Sequence, residues 1–139
     1  MEIILIVHAV VTLAMVGVIW FVQVVHYPLM GLVTAPHFAQ YEREHQRRTT
    51  WIVAPLMILE AATALLLIWS TQLSAAALIG LISLALIWLS TFFIQVPCHT
   101  ALAEHFDAAV HRRLVQSNWL RTVLWSLRGG LAVWMFGVG

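Results

Sequence analysis

Lysine is missing from this chain altogether, and all seven cationic side chains are arginines. Charge of either sign is scarce, at 9% of residues with a formal net charge of +1, far below the usage of soluble globular domains. No nucleic-acid partner is expected. The lone cysteine, Cys98, excludes an internal disulfide. The apolar run that begins at Ile3 lacks both a basic leader and a small-residue cleavage site, so it reads as a retained span and not a signal peptide.

What is abundant is hydrocarbon. Hydrophobic residues make up 62% of the chain and the mean hydropathy is +0.92, which predicts an integral membrane protein in contact with the lipid bilayer. The fold expected is an all-α, four-helix membrane bundle forming one domain, with spans over about 3–27, 51–70, 75–96 and 114–136. Pro28 and Pro97 are expected to end the first and third spans, and residues 71–74 to form a tight turn. Phe38, Tyr41 and His45 fall on one helical stripe, which predicts a short interfacial helix over 37–50. Residues 98–113 are expected to repeat it.

The chain also repeats itself. Phe21-Val22-Gln23-Val24 has a counterpart in Phe93-Ile94-Gln95-Val96, and each is followed by a proline and a histidine-bearing segment. His37-Phe38 corresponds to His105-Phe106, and Trp51 to Trp119, at an offset of about 70 residues. Two pseudo-repeated hairpins, about 1–70 and 73–139, follow from this. The same offset sets Glu60 over Arg128. Arg43, Arg47, Arg48, Arg112 and Arg113 all lie in the two long connections, so these should face the cytoplasm and both termini the outside.

Polar residues inside the spans are the candidates for function. Asn118, Arg121, Trp125 and Arg128 follow an i, i+3, i+7, i+10 pattern that makes one polar face. Glu60 lies roughly 13 Å beyond Trp51 along a helix, near mid-depth, as does Arg128. Charges at that depth face inward and find partners, so the two are expected to pair, either as a register-fixing ion pair or as a charged pocket floor. His8 lies near the outer surface and is expected to reach the headgroups.

At the cytoplasmic ends, Glu42-x-x-His45 has the i, i+3 spacing by which one helix presents a carboxylate and an imidazole to one metal. The second repeat offers Asp107 and His111, and the proline-marked ends add His26 and His99. His26, Glu42, His45, His99 and His111 are therefore candidate ligands for iron or another transition metal, gathered about one pocket by the pseudo-two-fold axis. The alternative is that each histidine lies separately among headgroups. Gln23, Gln95 and Trp125 are candidate cofactor-contacting residues on the inward faces.

Val96-Pro97-x-His99-x-x-Leu102, followed by Asn118-x-x-Arg121-Thr122, resembles the Val-Pro-Leu-Asn and Asn-x-x-Arg-Thr pattern of small four-span bacterial membrane proteins grouped with anthrone oxygenases. His99 stands where that pattern has asparagine. The first half, through Trp20, Pro28, Phe38 and Pro55, is similar to the wider set that includes HemJ-type protoporphyrinogen oxidases. The resemblance implies a multi-pass oxidoreductase of the bacterial inner membrane acting on a flat, lipophilic small molecule. In such a site Arg121 or Arg128 would stabilise an oxyanion and His26 or His99 would move its proton, with Glu60 and Asn118 completing the catalytic set. Iron or another metal, haem, or no cofactor at all would each be compatible with this class. A non-catalytic lipid-, haem- or pigment-binding subunit is the alternative. Gly80 and Gly129-Gly130 offer places where helices approach closely, and a homo-oligomer is expected.

Overall fold

The computed structural model describes residues 2–70 and 74–138, and within them the chain is helical with no strand. Helix α1 covers Glu2–Phe21, α2 Tyr27–Met30, α3 Ala35–Ser70, α4 Ala75–Ser90, α5 Val96–Glu104 and α6 Ala108–Val138. Two π-helical turns, Val22–His26 and Thr91–Gln95, link α1 to α2 and α4 to α5. The tight turn expected at 71–74 lies outside the described residues except for Ser74, whose hydroxyl caps α4 by accepting from the Ala77 amide.

The stretches Glu2–Met30, Pro36–Trp69 and Ala75–Glu104 are long and apolar enough to cross a membrane. Helix α6 is as long, but Asn118, Arg121 and Arg128 lower its apolarity, and all three are buried inside the bundle. The outer surface is the reverse: Ile58, Leu65, Trp69, Ile82, Phe93, Val123 and Trp134 are all exposed. An apolar exterior around a polar interior is the distribution that hydrocarbon solvent favours.

Pro28 and Pro97 do not end their helices. Each follows a π-helical turn in which the amide before the proline reaches back five residues, Tyr27 to the Val22 carbonyl and Val96 to the Thr91 carbonyl. The wider turn absorbs a ring that lacks a donor and would collide with the carbonyl four residues back in a regular helix. Nor is there a separate interfacial helix over 37–50, because α3 runs unbroken from the polar segment into the apolar one. No glycine or proline separates His37 from Trp51, so a change of polarity is not a change of backbone. Pro55 leaves only the Trp51 carbonyl without a helical donor, and Trp51 is exposed. In the second half α5 continues to Glu104, and the chain re-enters a helix at Ala108. Asp107 starts it by accepting from the Ala109 and Val110 amides at 2.7 and 3.0 Å.

Helix α1 packs against α3 and α6, and α4 packs against both of the same partners, which closes a ring. Pairings such as Thr12 with Glu60, His8 with Thr63, Trp20 with Ser126 and Gln23 with Asn118 run in opposite senses along the chain, so neighbours are antiparallel. Met15, Ile19, Met57, Ile87 and Trp125 form the middle of the core. Tyr27, Met30, Phe38, Cys98, Leu102 and Leu114 form a second cluster beside the π-helical turns. Two of the glycines expected at a contact between copies are occupied within the chain. A Cβ at Gly129 would stand 3.0 Å from Val16 of α1, and one at Gly80 would stand 3.7 Å from the Arg128 guanidinium.

Candidate functional site

Helices in lipid gain little from burying apolar surface against one another, so polar contacts set their register. The deepest is the Glu60 and Arg128 pair expected from their depth, at 3.0 Å and almost fully buried. Glu60 Oε1 also accepts from the Thr12 hydroxyl at 3.0 Å, and Oε2 from Trp125 Nε1 at 3.0 Å. Arg128 donates further to the Gly80 carbonyl. One carboxylate thus ties together α1, α3 and α6, and its partner reaches α4. His8 does not reach toward headgroups. It is buried, with Nδ1 2.9 Å from Thr63 Oγ1.

A second layer lies nearer the π-helical turns. Asn118 donates to Gln23 Oε1 at 2.9 Å and accepts from Arg121 at 3.1 Å, while Gln23 donates to the Val115 carbonyl at 3.2 Å. The Arg121 guanidinium stands 5.0 Å over the Trp125 ring and also interacts with the Tyr27 side chain. Gln95 donates to Ser117 Oγ at 2.9 Å. Gln23 and Trp125 are therefore engaged in holding α1, α3 and α6 together.

The third layer is the mouth of the bundle. His99 Nδ1 donates to Glu42 Oε1 at 2.6 Å, and its Nε2 lies 2.9 Å from the Tyr27 hydroxyl. With Glu42 ionised, the tautomer that satisfies both neighbours carries its proton on Nδ1 and accepts from Tyr27. Gln46 holds this chain in place by donating to Glu42 Oε1 at 3.1 Å and to the His99 carbonyl at 3.0 Å. The His45 ring stacks on His26 at 4.3 Å between centroids and lies 5.3 Å from His99.

Three of the four histidines expected to share a pocket therefore meet, together with Glu42. His111 stands apart: its Nε2 donates to the Tyr27 carbonyl at 2.9 Å. Asp107 is occupied as the cap of α6, where the Val110 and Ala109 amides hold its carboxyl below the ordinary range. His26 Nε2 faces Tyr41, His45 Nδ1 faces Thr49, and the two nitrogens of His99 face Tyr27 and Glu42. Among the described residues no three histidine, cysteine, aspartate or glutamate side chains converge as a metal would require. The arrangement is that of a hydrogen-bonded chain.

A cavity of about 420 Å³ opens beside this chain. Its apolar walls include Met15, Ile19, Val53, Met57, Trp88 and Phe92, and Tyr27, His45, Gln46, Gln95, His99 and Arg121 bring polar groups to it. Glu60, Arg128 and Asn118 do not line it. Tyr27, Gln46 and Trp88 were not among the residues expected from the sequence to form the site. Tyr27 sits beside His26 in a stretch that the repeat already marks, but nothing in the sequence sets its hydroxyl against His99. No protein-family model, curated protein or solved structure matches the chain.

Proposed function

We propose that the protein is a four-span membrane oxidoreductase of the oxygenase-like kind, working on a flat, lipophilic aromatic or quinone-like molecule held in the 420 Å³ cavity. The observation that carries this reading is the Tyr27, His99 and Glu42 chain ending on an apolar cavity. Such a site takes a hydrophobic ring and fixes it by a few polar groups. Tyr27 passes its proton to His99, whose imidazolium is stabilised by Glu42, and the phenolate so formed accepts a proton from the substrate. Arg121 holds the resulting oxyanion. A hydroquinone ring gives two electrons and its two hydroxyl protons to molecular oxygen dissolved in the bilayer, leaving the quinone and hydrogen peroxide; an anthrone-like ring methylene gives four electrons to oxygen, one oxygen atom becoming the ring carbonyl and the other leaving as water with the two methylene hydrogens. No step in this scheme needs a metal. The buried arginines of α6 support its being the fourth span, and the five arginines of the connections support a cytoplasmic mouth.

The test uses the purified protein in lipid vesicles with decylubiquinol and anthrone as probes and an oxygen electrode as readout. Oxygen uptake is expected, and Tyr27→Phe and His99→Ala should each slow it by about 10²–10⁴-fold, the usual share of general acid–base catalysis. Probe binding without uptake in the unaltered protein would replace this reading by that of a binding subunit. A Soret band or stoichiometric iron would move the electron transfer onto a cofactor.

A further inference from the structure

Two features of the cavity are left unexplained by proton transfer. The first is its side wall. One flank is a stripe of α3 that includes Thr50, Ala54 and Ile58, and the opposite flank runs through Trp88, Phe92 and Val96. Helix α3 packs against α4 and against α5, but it makes no substantial contact with the π-helical turn between them. Ile58, Phe92 and Val96 line the cavity and are at the same time 61%, 55% and 47% exposed. Ile58 lies about 10 Å along the helix from Trp51, so this opening is at the level of the acyl chains and not of the headgroups.

The second feature is a set of unsatisfied atoms. Among the described residues, Trp88 Nε1, Gln95 Oε1 and Arg121 Nε are buried and have no hydrogen-bond partner. All three belong to residues that line the cavity. Gln95 and Arg121 are 2% and 7% exposed. A buried polar atom left unpaired forfeits the hydrogen bonds it made to water, and in hydrocarbon there is no water nearby to restore them.

The geometry points to a lateral portal: a lipid-soluble ligand passes from the bilayer core between α3 and the second π-helical turn, across a rim of Ile58, Phe92 and Val96. Its oxygen-bearing end is then received by Trp88, Gln95 and Arg121. The portal rests on the reading of the cavity as the ligand site, but it makes a separate claim about the route. The π-helical turn has a part in it. By bulging, it carries Phe92 and Val96 out of the α4 register and parts them from α3, whereas a regular helix would continue the α4 packing. A ligand with two acceptor sites and one donor site at one end, and an apolar body, satisfies all three atoms.

The experiment uses the full chain in phosphatidylcholine vesicles under argon, with decylubiquinol, whose hydroxyls both donate and accept, as the probe and the change in tryptophan fluorescence on binding followed by stopped flow. Ile58→Trp, which narrows the rim, should slow association about tenfold and leave the equilibrium affinity unchanged, because the receiving atoms are untouched. Ile58→Ala should speed it. Gln95→Leu and Trp88→Phe should each weaken binding about tenfold, the factor that matches one lost hydrogen bond, without slowing association. Thermal melts establish that each variant is folded. Association unchanged in both Ile58 variants, with affinity still lost in Gln95→Leu, overturns the portal and leaves the site. Absence of a fluorescence change in the unaltered protein overturns both.

Discussion

Buried charges in a membrane protein are informative because each one must be answered by a neighbour. Glu60 is answered by three donors from two helices, Thr12, Trp125 and Arg128, so its loss strands a guanidinium and two further donors in hydrocarbon. Glu60→Gln and Arg128→Gln should each cost about 3–5 kcal/mol, and the double variant less than their sum. Unfolding in detergent–denaturant mixtures measures this, and strict additivity would show that the pair is not coupled. This pairing was legible from depth and periodicity alone, since a lone charge at mid-depth requires a partner on a facing helix. His111 was not legible. Its partner is a backbone carbonyl of Tyr27, left free where the Gly31 amide turns to Leu29 at the end of α2, and the composition of a sequence does not reveal which carbonyls lack donors. The i, i+3 spacing of Glu42 and His45 reads as a ligand pair for one metal. It did not indicate that Glu42 would be taken by His99, because that contact spans the two halves of the chain.

At the level of elements, the two π-helical turns carry the chain past Pro28 and Pro97 without ending the helices. Short α2 is pinned from α6 through His111, and the fit is close: a Cβ at Gly31 would come within 2.9 Å of His111 Cε1. Gly31→Ala should therefore push the imidazole off the Tyr27 carbonyl and cost about 1 kcal/mol, the value of a typical net hydrogen bond. The same substitution in a His111→Ala background should be close to neutral. A thermal-melt cycle of the four proteins checks this, and an undiminished loss in the His111→Ala background would mean that backbone strain, not the imidazole, opposes the alanine. The existence of the long apolar helices could be read from the run lengths. Their ends could not, because a proline marks a helix end only where the backbone has no wider turn available. Asp107 is a further instance: Asp107-Ala-Ala-Val-His111 fits a ligand pair as well as a helix cap, and the amides of Ala109 and Val110 decide for the cap.

For the whole molecule, orientation is the property that the arginine distribution bears on most directly. In a Cys98→Ser background, Ala75→Cys should react with an impermeant thiol reagent from the outside, and Arg48→Cys only after the vesicles are opened. The reverse pattern would transfer the mouth to the other compartment. The order of helices around the ring follows from polar pairs such as Gln23 with Asn118 and Thr12 with Glu60, which a single sequence allows but does not select. Helix α3 has the widest consequence for the assembly. It carries Glu42 at the mouth and Glu60 in the mid-bundle on one unbroken axis, separated by about 27 Å and by about five turns, so both carboxylates point the same way. One face of α3 thus supplies the acceptor for His99 at the mouth and the acceptor for Arg128 in the mid-bundle, so a turn of α3 about its own axis would break both contacts at once.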